Sequence, residues 1–216
     1  MSDLATLSEL IREQREGLLE TLEGLAADQW LAPSLCGEWR VLDVAAHLAW
    51  APVLGARSGA VALARHGFSM NRMIARSAVA WSARGRSAIL QQLRDNARTG
   101  ACPIGMPRVA ALADAVVHGL DVRRPLGLPG PVPPAALAAL ADFSLGTPWP
   151  MNVVVGGSAR RRVSGVRLVA TDSDWTHGDG PEVRASTEAL LLLLYGRAPS
   201  ADEVTGPGAA TVLARI

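Results

Sequence analysis

Lysine is absent. All 21 basic residues of the 216-residue chain are arginine, which excludes Schiff-base and general-base chemistry on a lysine amine. Cysteine is scarce: Cys36 and Cys102 stand far apart and form no CxxC. A disulfide framework is therefore not expected, and a reducing cytosol fits. An excess of one charge is missing too. The formal net charge is +1, which gives no support to nucleic acid or an anionic membrane as a partner. Long hydrophobic runs are also lacking. The longest, Ala189 to Tyr195, falls far below the ~20 residues of a membrane span. The opening Met-Ser-Asp-Leu has no basic region before an apolar core, so no signal peptide is expected and a soluble cytoplasmic protein is the default. No P-loop, GxGxxG or GxSxG stands in a fitting context, and there is no internal repeat or low-complexity tract.

What is present is a globular composition, 49% hydrophobic and 19% charged, arranged mainly with helical periodicity. Residues 3–26 read as an amphipathic helix: Leu4, Leu7, Leu10, Ile11, Leu18, Leu22 and Leu25 form one face, and Glu9, Arg12, Glu13, Arg15 and Glu16 the other. Trp30 to Trp39, punctuated by Pro33 and Gly37, is a connection whose two tryptophans pack on the helices. A second helix begins at Arg40 or Val41, with Asp43 suited to its first turn. Pro52 interrupts it, and helix resumes to about Arg65. Residues 69–98 are helical with a break near Gly85. Another helix spans Val109 to Val122 and is stopped by Arg123-Arg124-Pro125. Leu126 to Pro134 is a stiff Pro/Gly linker, and 134–146 is helical. Beyond it Val163 to Thr171 and Trp175-Thr-His177 read as strands, and Glu188 to Tyr195 as a short apolar helix. The expected architecture is mainly α: a helical bundle over 1–147, with short connections, and a small α+β domain over 148–216.

The chemistry concentrates in Asp114-Ala-Val-Val-His118-Gly-Leu-Asp121. At about 100° per residue, His118 lies about 40° to one side of Asp114 and Asp121 about 20° to the other. Three groups able to bind a metal or move a proton share one stripe of an otherwise apolar helix, where an unpaired carboxylate is costly. His47, alone with Asp43 on the second apolar helix, is the natural partner. One reading is a metal site of His47, Asp114 and His118, with a fourth position open. Zinc suits this donor set; nickel, iron and manganese are also compatible. Asp121 is then a further ligand or an acceptor that fixes a histidine ring. The other reading is two core histidines satisfied by i,i+4 carboxylates, Asp43 with His47 and Asp114 with His118. His66 reads as a capping or solvated histidine, His177 as part of a turn region, and Cys36 as a small buried hydrophobe rather than a nucleophile.

These same residues carry a resemblance. Trp39-Arg-Val-Leu-Asp-Val-Ala-Ala-His47-Leu resembles the W-x-V-x-D-V-x-x-H-L signature of the mycothiol-dependent maleylpyruvate isomerase family, one of the DinB-like metal-binding bundles. Asp114 to Asp121, with Arg123-Arg-Pro-Leu-Gly after it, resembles that family's [ED]-x-x-x-H-x-x-D block. Leu190 to Arg197 resembles the L-x-x-L-x-G-R helix of its second domain. The resemblance implies a DinB-like four-helix bundle with a small C-terminal α+β domain, and a divalent metal, usually zinc, on His47, Asp114 and His118. It implies mycothiol as a thiol cosubstrate, a small electrophile as substrate, and S-transfer or cis–trans isomerisation as the reaction. Asp121 and Arg197 are the candidate catalytic residues, Arg197 as an anion contact or a helix cap. The alternative is a non-catalytic metal- or ligand-binding bundle with a stress or regulatory role. A monomer or weak homodimer is expected. Two departures from the family pattern are Arg40, where a Ser or Thr N-cap is usual, and Asp114 in place of a Glu.

Overall fold

The structure, a computed structural model, describes residues 2–130 and 132–216, with side chains from Thr6 onward. Leu4 of the predicted first helix face and Pro131 of the predicted linker lie outside the described side chains. The chain divides into two compact units, Met1–Gly130 and Pro131–Ile216.

The first unit holds six helices: α1 (Ser2–Glu23), α2 (Val41–Trp50), α3 (Ala56–Arg65), α4 (Met70–Ser82), α5 (Arg86–Thr99) and α6 (Arg108–Arg123). α1 and α2 each pack against both α5 and α6, which closes a ring of four helices; α4 lies against α2 outside that ring. The ring is a DinB-like bundle. Its core joins Leu18 and Leu22 of α1, Leu25 and Trp30 of the connection that follows, Val41, Val44 and Ala45 of α2, Ile89 of α5 and Val122 of α6. Full burial of each large aliphatic side chain contributes roughly 1.5–3 kcal/mol. Trp30 is buried there as expected.

Punctuation follows the sequence. Pro52 sits in a 3-10 turn, Ala51–Val53, that ends α2. Gly85, at φ +83°, supplies the left-handed backbone that separates α4 from α5, a conformation costly for any residue with a Cβ. Gly100 closes α5 in the αL conformation.

α2 lacks a Ser or Thr cap, and Asp43 takes over the work. Its carboxylate accepts the backbone N–H of Arg40 at 3.1 Å and the Arg40 guanidinium at 2.9 and 3.0 Å. One acid in the first turn thus satisfies an orphan backbone donor and opposes the positive helix end.

The second unit holds α7 (Pro134–Gly146), α8 (Ala159–Arg162), β1 (Arg167–Ala170), β2 (Thr176–His177), β3 (Glu182–Ala185), α9 (Thr187–Leu194) and α10 (Ala209–Leu213). α7 packs on α8 and α9, so the boundary between the units falls at 130/131 and α7 goes with the second unit, not with the bundle as the 147/148 division has it. The reason is apolar: Ala136, Leu137, Leu140 and Ala141 of α7 and Ala189 to Leu194 of α9 are all buried. The sheet order is β2-β1-β3, with β2 antiparallel and β3 parallel to β1. Arg162 caps the end of α9, donating to the carbonyls of Leu193 and Leu194 at 2.9 and 2.6 Å. Among the described residues no helix is long and apolar enough to cross a membrane.

Candidate metal centre

Two adjacent helices of the ring supply the polar stripe. Eight of the ten α2 residues and thirteen of the sixteen α6 residues are buried. Their side chains leave no room for a charge without a partner. His47 projects from α2, and Asp114, His118 and Asp121 from α6. One ligand atom from each of His47, Asp114 and His118 lies within 4.8 Å of the other two. The two imidazole rings stand edge to face with centroids 5.0 Å apart. Trp39, from the connection before α2, lies against both, 5.3 Å from His47 and 6.3 Å from His118.

The hydrogen bonds of the two histidines differ from each other. His47 does not bond to Asp43, whose carboxylate is held by Arg40. His47 Nδ1 is instead buried with no hydrogen-bond partner among the described residues, a costly state for a ring nitrogen. His118 Nδ1 donates to Asp121 Oδ2 at 2.8 Å, and Asp121 is fully buried. This fixes the orientation of the His118 ring.

The electrostatics separate the two rings. Burial, reinforced by the charge of His118, pushes the His47 pKa down to about 3, so it is neutral with a lone pair to give. Burial also opposes the charge on His118. Hydrogen bonds to Asp121 and Cys36, with the negative charge of Asp121, outweigh it and push the pKa up to about 10.

Three residues matter more than their sequence context indicates. Cys36 is brought to His118 and Asp121, with its sulfur within 4.8 Å of a donor atom on each. Its loop is tied to α6 by the Leu35 N–H, which donates to the Asp121 carbonyl at 3.0 Å. No neighbouring histidine in the sequence signals this; the approach is made through the fold. Trp39 becomes a wall of the site. Arg15, assigned by periodicity to the exposed face of α1, is half-buried. It donates to the carbonyls of Asn96 and Ala101 at 3.0 and 2.6 Å and lines a cleft with Leu48, Pro52, Asn96 and Asp114.

The remaining predicted residues lie elsewhere. Arg197 belongs to the second unit, just beyond α9, where its Nη1 donates to the Tyr195 carbonyl at 2.7 Å. His66 is the C-cap of α3. His177 is an exposed residue of β2, stacked on Trp175 with centroids 6.0 Å apart.

A family model described as the mycothiol maleylpyruvate isomerase N-terminal domain matches residues 11–123, the stretch that holds His47, Asp114, His118 and Asp121. The chain belongs to that family. A crystal structure of the mycothiol-dependent maleylpyruvate isomerase is similar over 95% of this chain and 93% of that one, with a TM-score of 0.64 and 16% identity. The structure of a histidine-to-alanine mutant of that isomerase is similar over the same shares, with a TM-score of 0.55. At that identity these two structures speak for the fold. No curated protein sequence matches.

Proposed function

We propose that the protein is a metal-dependent enzyme of the maleylpyruvate isomerase type. On this reading it uses a low-molecular-weight thiol, mycothiol, to attack a small electrophile, with S-transfer or cis–trans isomerisation as the outcome. The observation that carries the reading is the unpartnered, buried Nδ1 of His47 beside Asp114 and a His118 ring fixed by Asp121. Two imidazoles and one carboxylate are a common donor set for a catalytic zinc ion, and membership of the family supports the same assignment. Nickel, iron or manganese would fit the set as well.

Bound to His47, Asp114 and His118, a divalent cation would lower the pKa of a thiol offered to its open position and keep it as the nucleophilic thiolate. The chain's own residues do the rest. His47 presents a neutral lone pair because burial keeps it unprotonated. Asp121 holds the Nδ1 proton of His118 and so fixes both tautomer and ring orientation. Trp39 covers the two rings and excludes water from one side. Arg197 serves as the contact for an anionic group of the substrate or thiol, a task suited to a planar guanidinium.

Metal analysis of the purified protein tests the reading, with His47→Ala and His118→Ala beside it. One equivalent of divalent metal, lost in both variants together with thiol-dependent turnover, is expected. A wild-type protein that takes up no metal after loading overturns it. Metal bound without turnover of any electrophile in the presence of mycothiol would assign the protein to the non-catalytic alternative.

A further inference from the structure

The net charge of +1 conceals a segregation of sign. Between Val44 and Arg94 the chain carries seven arginines and no aspartate or glutamate; all 20 acidic residues lie outside that stretch. The segment includes α3 and α4, which sit outside the four-helix ring. α3 has no buried residue, and α4 is its main packing partner. Arg57 and Arg65 on α3, and Arg72 and Arg76 on α4, are exposed, and none of the four makes an ion pair among the described residues.

The turn between the two helices adds an apolar tip. Phe68 is 78% exposed and has φ +58°, a left-handed backbone that is uncommon for an aromatic residue. Its N–H donates to the Leu63 carbonyl at 2.9 Å, so the turn is closed while the ring points into water. Met70, which opens α4 two residues on, is 38% exposed, and Val61, on α3, is 44% exposed. Arg65 and Arg72 bracket the tip in sequence.

From this juxtaposition we propose that the α3–α4 hairpin docks on an anionic lipid bilayer surface. Phe68, Met70 and Val61 enter the boundary between headgroups and acyl chains, and the unpaired arginines grip lipid phosphates. The apolar tip selects a bilayer over other polyanions. A nucleic acid or an acidic soluble chain would neutralise the arginines and leave Val61 and Met70 in water. The attachment is peripheral and electrostatic, so it weakens as salt screens the surface charge.

Cosedimentation of the full chain with vesicles tests it. Phosphatidylcholine vesicles with about 30% phosphatidylserine are compared with phosphatidylcholine alone, at about 0.1 and about 0.5 M NaCl. Binding to the anionic vesicles is expected to be at least tenfold tighter, by the order of magnitude for a few basic residues at such a surface, and to fall at high salt. Phe68→Asn, which tolerates the left-handed turn, and the double variant Arg65→Gln/Arg72→Gln should each weaken it about tenfold. Circular dichroism and Tm should be unchanged, because no altered side chain is buried. Equal binding to both vesicle types, no binding, or binding that survives both variants would overturn the proposal. So would heparin binding with no vesicle binding, which would assign the arginines to a soluble polyanion.

Discussion

Asp121 Oδ2 lies 2.8 Å from His118 Nδ1, one helical turn away on the same buried face of α6. The bond sets the tautomer of a candidate metal ligand from within its own helix. Asp121→Asn should keep the volume and remove the charge-assisted acceptor. Metal affinity is expected to fall about 10- to 100-fold, the usual cost of losing a partner of a ligating histidine. Competition with a chelating indicator measures it. An unchanged affinity would show that Asp121 does not orient the ligand.

Metal uptake should release a proton. Without metal, Asp121 and Cys36 keep the His118 pKa raised to about 10, so Nε2 is protonated at neutral pH. His47, pushed down to about 3, is already neutral. Affinity for a divalent ion should therefore climb with pH from about 6 to about 10, as His118 sheds its proton more readily. The sign follows for stability of the metal-free protein. A raised His118 pKa stabilises the fold below the unfolded value near 6.5 and loses that contribution as pH rises through 10. Calorimetric titrations in buffers of different ionisation enthalpy count the proton released; a pH-independent affinity would contradict the assignment.

Asp43→Ala should destabilise the bundle by about 1–3 kcal/mol, because the carboxylate both caps α2 and holds Arg40. Burial works to raise the Asp43 pKa, but its hydrogen bonds to Arg40 and Ser82 prevail and lower it. A lowered folded pKa gives stability above the unfolded carboxylate value, and that stability is lost as pH falls through the folded one. Denaturant melts at neutral pH should show the full difference between variant and wild type. Melts well below pH 4 should show it shrinking.

Arg197→Ala separates two roles. If Arg197 contacts an anionic group of substrate or thiol, KM should rise at least tenfold with metal content and Tm unchanged. Arg197→Lys should recover only part of the loss, since lysine cannot make the bidentate contact. A Tm fall of several degrees with an unaltered KM would assign it to capping α9 through the Tyr195 carbonyl.

Local patterning determined a large share of this protein. The heptad-like leucines of α1, the proline after α2, Gly85 between α4 and α5, and Pro134 at the start of α7 each act within a turn or two of their own position. The element bounds follow from them. The stripe on α6 was legible for the same reason: helical geometry alone puts Asp114, His118 and Asp121 on one face. β3 was not foreseen, because Glu182-Val-Arg-Ala is too short and too polar to signal a strand before β1 pairs with it in parallel. Nor was the home of α7, which depends on the buried face of α9 more than forty residues later.

Only tertiary structure could decide how the stripe is used. The sequence offered Asp43 to His47 and Asp114 to His118 as i,i+4 partners. The fold gives Asp43 to Arg40 and Asp121 to His118, and leaves a buried nitrogen of His47 without a partner. Hydrogen bonds are short and directional, so which of several nearby acids a histidine meets depends on where whole helices pack. Cys36 and Trp39 reach the two histidines by the same route, through a loop pinned to α6 and not through any spacing along the chain.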